Sequence, residues 1–412
     1  MPPIGSSPSR DPPSSALIAQ ILGQLAFGLI AMTLCIPSMA EWDGVFDTTP
    51  AMVQLTFSGY VAAYGLLQLV YGPLSDRLGR RRVLLAGLAI ALCGTLLAAL
   101  AGHIATLVVA RTLQGAGAAA GMVVGRALVQ DFFEGAARTR MMAGIGMTMG
   151  LCPPAGTLIG GQLHEALGWR APFWLTLAIG LWLAVTAWRV LPRDASKVRA
   201  DGPHWLTTMG QAYARLAREP GFIAHVLLVG AATATFYAFL SGAPLVFARQ
   251  GVTPGRIGLY VMCVPVAYIV GNFVTTRLAQ RLGDRSMIGI GQAFSLGGVG
   301  LTLVLALAGW NHPLGIALPL MLLGIGHGLL MPAALGGTVG LVPALAGAAA
   351  GVAGVTQQLL GALAGWAVGW VPHTNARGLA LLMLLLTLVS LAAYAVLWRR
   401  AQRRSRATGA DH

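Results

Sequence analysis

Twelve runs of mostly apolar residues, each about as long as a membrane is thick, leave this chain few ways to fold. They fall near 16–37, 52–72, 83–102, 105–128, 139–163 and 170–191, then near 221–244, 257–277, 287–309, 314–336, 346–370 and 376–398. A helix needs roughly 20 apolar residues to cross ~30 Å of hydrocarbon, and in lipid it satisfies its own backbone. Only 10% of the 412 residues are charged and 56% are hydrophobic, too few charges to clothe a soluble domain. The expectation is an all-α integral membrane protein of twelve transmembrane helices.

A hydrophilic stretch at 192–220 divides the runs six and six. The expected units are a Pro/Ser-rich disordered tail over 1–15, a bundle over 16–191, a linker over 192–220, a second bundle over 221–398 and a basic tail over 399–412. Within the linker, Trp205, Met209, Ala212, Tyr213 and Leu216 share a helical face opposite Gln211, Arg215 and Arg218. That pattern predicts a helix lying on the membrane surface.

The net charge of +14 does not read as nucleic-acid binding, because the positive charges alternate with the spans. Placing the even-numbered loops and both tails on one side gives that side 22 of the 27 Lys and Arg. By the positive-inside rule that side is the cytoplasm. Arg170, Arg249, Arg256 and Arg377 fall on the other side, and Arg111 lies within a span. The basic face then meets membrane lipids. Cys35, Cys93, Cys152 and Cys263 form no metal-ligand spacing and read as small buried hydrophobes.

The halves echo each other, which predicts pseudo-symmetry. Leu74-Ser-Asp-Arg-Leu-Gly-Arg-Arg81 after the second run returns 204 residues later as Leu278-Ala-Gln-Arg-Leu-Gly-Asp-Arg285 after the eighth, and Gly87 and Gly291 follow at equal distance. The first copy, with Gly72, Asp76, Arg77, Gly79, Arg80 and Arg81, resembles the loop signature of the major facilitator superfamily. In that family the cluster latches the cytoplasmic side shut, and Asp131 would be its acidic partner.

Arg111-Thr-Leu-Gln114-Gly resembles the family's buried-arginine signature, and Gly146 to Gly161 resembles the glycine/proline motif of its drug–proton antiporters. That last stretch holds Gly150, Pro153, Pro154, Gly156, Gly160 and Gly161, with Thr157 where the motif has its second proline. Gln68–Pro73, Gly168–Trp174 and Phe239–Pro244 are similar to the bicyclomycin and chloramphenicol exporters. The resemblance implies an exporter in a bacterial inner membrane with both termini cytoplasmic. It implies a monomer that needs no cofactor or metal and uses protons as the coupling ion.

The acids bear on that last implication. All thirteen lie outside the middle of the spans, and Thr33 stands where related exporters carry an acid before the proline, here Pro37. Arginine does not titrate usefully, so His225 and His327 become the candidate proton carriers. Candidate cavity residues are Arg111, Gln114, Gln24, Thr33, Tyr60, Tyr64, Gln68, Tyr237 and Gln357. A cavity with an arginine and no carboxylate predicts small-molecule substrates that are neutral, zwitterionic or anionic. A transporter of one metabolite, or a uniporter without proton coupling, stays open. An enzyme does not fit: there is no P-loop, Asp-rich metal site or His/Glu zinc pair.

Overall fold

A computed structural model describes residues 15–192, 205–342 and 345–408. Most of the expected N-terminal tail, much of the linker and residues 409–412 lie outside the described residues. Those described form helices, with no strand among them.

In the first half run α1 (Ser15–Thr33), a short 3-10 turn (Pro37–Glu41), the single-turn α2 (Trp42–Val45), α3 (Pro50–Leu78), α4 (Arg80–Ala99), α5 (Ile104–Phe132), α6 (Gly135–Leu167) and α7 (Ala171–Val190). After α8 (Trp205–Ala217) the second half holds α9 (Pro220–Arg249), α10 (Pro254–Leu307), α11 (Leu314–Gly340), α12 (Ala346–Val368) and α13 (Arg377–Thr408). Ten segments are long and apolar enough to span a membrane. One of them, α10, carries the eighth and ninth runs together, and α12, rich in Gly and Ala, carries the eleventh. Twelve membrane-crossing helices follow.

The duplication is visible in the backbone. Gly79 separates α3 from α4 at φ 94°. Gly283, 204 residues on, breaks α10 at φ 73° with non-helical geometry. Side chains rarely adopt such angles, so both loops turn on the same glycine. The linker helix α8 buries Leu216 and exposes Gln211, Arg215 and Arg218, in keeping with an amphipathic surface element. The expected basic tail from 399 continues α13 as helix to Thr408.

The end holding Gly79, Gly283 and the start of α9 is called here the basic end, and the opposite one the far end. At the far end of the first half, Trp42 stacks on Phe173 at 6.1 Å and meets Trp169 edge-on at 6.0 Å, seating the turn between α1 and α3.

Candidate functional site

Pro37 has no N–H and cannot continue α1. The chain tightens instead, with the Ile36 N–H on the Thr33 carbonyl. Arg111 of α5 takes up the carbonyls just before the break. Its Nη1 donates to Ala31 O at 2.8 Å and to Gln114 Oε1, and its Nη2 donates to Met32 O at 3.3 Å. The guanidinium lies 4.4 Å from the Tyr60 ring centroid. Gln114 Nε2 donates to Thr95 Oγ1 at 2.8 Å, and Tyr60 OH donates to Gly28 O at 2.6 Å.

Arg111 is 0% exposed, and no carboxylate among the described residues pairs with it. An arginine at mid-span costs about 3 kcal/mol or more unless it is paired or wetted. Here neutral dipoles and one aromatic face offset that cost. The residue expected in a cavity wall is thus a tie among α1, α3, α4 and α5.

The space between the halves is faced by other side chains. Tyr64 stacks on Tyr60 at 6.1 Å, and its buried hydroxyl has no hydrogen-bond partner. Tyr237 of α9 meets Phe57 of α3 edge-on at 5.7 Å and donates to Gln358 Oε1 at 3.1 Å. Gln358 also packs on Gly65 across the halves.

Arg126, near the basic end of α5, is exposed. Its Nη2 approaches Met149 Sδ of α6 at 3.6 Å, and the Tyr64 hydroxyl lies within electrostatic reach of both Arg126 and Tyr237. No carboxylate among the described residues pairs with Arg126. Reading the sequence missed both Arg126 and Gln358. Charge alternation alone counts Arg126 with the basic loops, although its sequence distance from Arg111 puts it within about 60° of the same helix face at 3.6 residues per turn.

Other candidates point elsewhere. Gln24 Nε2 reaches Leu183 O of α7 at 3.5 Å, on the flank that Gln20 also bonds. Thr33 bonds Leu29 O at 2.9 Å and lies beneath Gly156 of α6, inside a helix contact. Gln68 is half-buried. Gln357 accepts from Thr233 at 3.2 Å, beside the Tyr237 contact that Gln358 makes. His225 bonds Gly221 O at 2.9 Å and packs on Gly337. His327 is buried in α11, and its ring makes no hydrogen bond among the described residues.

Helix α6 continues through Pro153 and Pro154, whose carbonyls accept from Thr157 Oγ1 at 3.2 and 3.1 Å. Its Gly160 rests on Leu34 O just past the end of α1, while Gly161 and Gly150 turn to α10.

The two halves meet tightly at the far end. Gln54 Nε2 donates to Ser241 O at 2.9 Å, and Gly369 lies against Ala51. Glu165 of α6 accepts from the Gly255 N–H of α10 at 2.8 Å and from Thr253 Oγ1 at 3.3 Å, placing a carboxylate on a helix N-terminus of the other half. Arg249 and Asp43 pair at 2.9 Å. Toward the basic end a Cβ at Gly146, Gly347 or Gly354 would meet nothing within 4 Å, whereas one at Gly351 of α12 would still meet the Leu69 side chain of α3. An apolar cleft of about 410 Å³ opens there, lined by Leu69 of α3, Tyr213 of α8, Phe222 and Val226 of α9 and Val355 of α12.

The latch residues stand at the basic end. Arg80 pairs with Asp76 and, through Nε, with Asp131 Oδ2 at 3.0 Å, and its Nη1 bonds Ser75 Oγ at 2.6 Å. These contacts join α3, α4 and α5 within one half.

Comparison with known proteins agrees with this geometry. The Major Facilitator Superfamily pattern matches residues 16–365. The chain is 28% identical over 384 residues to Multidrug resistance protein D of Escherichia coli, covering 90% of this chain and 93% of that one. It is 30% identical over 317 residues to the Chloramphenicol resistance protein of Pseudomonas aeruginosa, covering 76% and 74%. A solved bacterial homologue of the human lysosomal transporter Spinster shares the fold at TM-score 0.69 and 16% identity, with 95% of each chain covered. Two duplicated helical halves, the Gly72–Arg81 loop and the buried Arg111 are therefore those of a multi-pass membrane transporter, not an enzyme: the chain belongs to the Major Facilitator Superfamily.

Proposed function

We propose that this transporter exports small, moderately apolar molecules such as antibiotics across the bacterial inner membrane by alternating access, in exchange for protons. The observation that carries the reading is the lining between the halves: Tyr64, Tyr237, Gln358 and the exposed Arg126, with no carboxylate among the described residues there. Aromatic faces and one cation suit neutral, zwitterionic or anionic solutes over lipophilic cations. The names of the drug-resistance relatives support export. A far end closed across the halves and an apolar cleft at the basic end support alternating access, and the distribution of Lys and Arg supports a cytoplasmic basic end.

His327, buried in α11, is the histidine to test as proton carrier, because the His225 ring is held by Gly221 and Gly337. The absence of a mid-span acid favours one second reading, transport without proton coupling. The test is uptake by energised inverted vesicles over matched anionic, neutral and cationic compounds. With Arg126→Gln, uptake of the anionic compound falls about tenfold relative to its neutral analogue, the weight of one charge-assisted contact. Preference for the cationic compound in the parent protein contradicts the charge assignment. Unchanged proton flux in His327→Gln removes that histidine.

A further inference from the structure

At the basic end of the second half, a cleft of about 240 Å³ lies among the start of α9, the second part of α10, the end of α11 and α13. Its charged lining is Arg285, Arg400 and Glu219, the His225 imidazole lies beside them, its aromatic lining is Tyr394 and Trp398, and aliphatic side chains including Ile288 and Leu341 complete it. The volume is below the roughly 300–1,000 Å³ of a drug-sized site, and the cleft is separate from the space between the halves.

The duplicated position in the first half is sealed. There Arg81, 204 residues before Arg285, is buried, donates from Nη2 to Trp188 O at 2.5 Å and lies 4.7 Å from the Trp188 ring centroid. In the second half Tyr394 OH donates to the Arg285 backbone carbonyl at 3.1 Å, and Arg285 lines the open cleft. Neither Arg285 nor Arg400 pairs with a carboxylate among the described residues, although Glu219 lines the same cleft and Asp284 is next in sequence. The positive dipole end of α9 also faces this end of the cleft, beside the Glu219 carboxylate at the N-cap, which makes no capping hydrogen bond and offsets part of that charge. Trp398 is 43% exposed at the level where amphipathic rings meet headgroups.

From the two unpaired arginines, the helix start and the interfacial tryptophan, we propose that this cleft binds the phosphate of an acidic membrane phospholipid in the leaflet at the basic end. Arg285 and Arg400 grip the phosphate oxygens, Trp398 lies along the glycerol region and the acyl chains follow the outer face of α13. A basic pocket between transmembrane helices at a membrane surface is suited to such a headgroup. The bound lipid would tie the start of α9, and with it the linker, to α10 and α13.

The test uses the full-length purified protein in detergent. Thermal stability and lipid retention by native mass spectrometry are followed while phosphatidylglycerol, phosphatidylcholine or inorganic phosphate is added. Phosphatidylglycerol is expected to raise the melting temperature and to be retained, and phosphatidylcholine to do so weakly. Its apparent affinity should fall about fivefold with Arg285→Gln or Arg400→Gln and about 25-fold with both. Arg399→Gln removes an adjacent charge outside the cleft and should leave affinity unchanged. An equal loss in Arg399→Gln would mean diffuse attraction and overturn the site. Equal protection by inorganic phosphate would overturn the lipid as occupant. The single variants keep the test decisive if the double variant does not fold.

Discussion

The helix trio α3–α4–α5 of the first half and its counterpart in α10 and α11 pack in the same way and carry different chemistry. Gly115 lies against Tyr60 O as Gly324 lies against Val264 O, and Gly94 meets Ala110 and Gln114 as Gly298 meets Pro319 and Leu323. Those contacts pair Tyr60 with Val264, Thr95 with Val299, Arg111 with Leu320 and Gln114 with Leu323. All four members of the second set belong to the buried core. Close helix approach needs a small residue wherever two backbones touch, so that requirement persists in both halves. The remaining interior positions need only be filled or satisfied, and there the halves have diverged. A polar node is therefore not needed for the fold, which points to a role in the working of the first half.

The strongest way to break this comparison is to make the first half resemble the second. Arg111→Leu alone should strand Gln114 Oε1 and two α1 carbonyls, at about 1–3 kcal/mol for each unsatisfied group, and lower transport roughly 100-fold through misplaced helices. The triple variant Thr95→Val, Arg111→Leu, Gln114→Leu should recover part of the thermal stability, because both partners of the Arg111–Gln114 and Gln114–Thr95 bonds become apolar while the two α1 carbonyls stay unsatisfied, and transport stays lost. Normal transport by the triple variant would show that the node is only packing.

Gly115→Ala and Gly324→Ala should each lower stability by about 1–3 kcal/mol, by overpacking against a backbone oxygen. Thermal unfolding of the two variants should match, and a large difference would contradict the pairing of the halves.

The far end sharpens the comparison on a smaller scale. Its α6–α10 flank is closed by the Glu165 carboxylate, whereas its α3 flank is closed by Gly369, at the end of α12, on Ala51 and by the Gln54–Ser241 bond to α9. Glu165→Gln keeps an acceptor but loses the charge at the α10 N-terminus, about 0.5–1 kcal/mol. Maleimide labelling of a Gln54→Cys reporter should rise up to about fivefold as that end opens more often. No change would mean that the glycine flank alone holds it shut.

The smallest effect concerns pH. Burial pushes His373, in the loop between α12 and α13, below the ordinary histidine value; Arg249 adds to this, and the Val368 backbone and Asp43 oppose it. The folded state thus prefers neutral His373, and the unfolded chain binds the proton more readily. Stability should decline as pH falls below about 6.5, the ordinary histidine value. In His373→Gln that part of the decline should vanish from melting curves taken across pH.

Much of this protein was legible in its sequence. Apolar run length, the alternation of Lys and Arg and the repeated Leu-x-x-Arg-Leu-Gly loop are local properties of the chain. They determined the twelve helices, the duplication and the basic end before any helix was placed beside another. The depth of Arg111 in its span was also readable, because rise per residue is constant along a helix.

The neighbours were decided only by tertiary structure. Periodicity tells which residues share a face, but not which helix that face meets. So Arg111 ties α5 to the carbonyls freed before Pro37, Thr33 is closed under Gly156, and Gln24 turns toward α7. Arg126 and Gln358 face the space between the halves. Equivalent loops in the two halves also part company for this reason: Arg81 finds the Trp188 carbonyl, and Arg285 faces an open cleft.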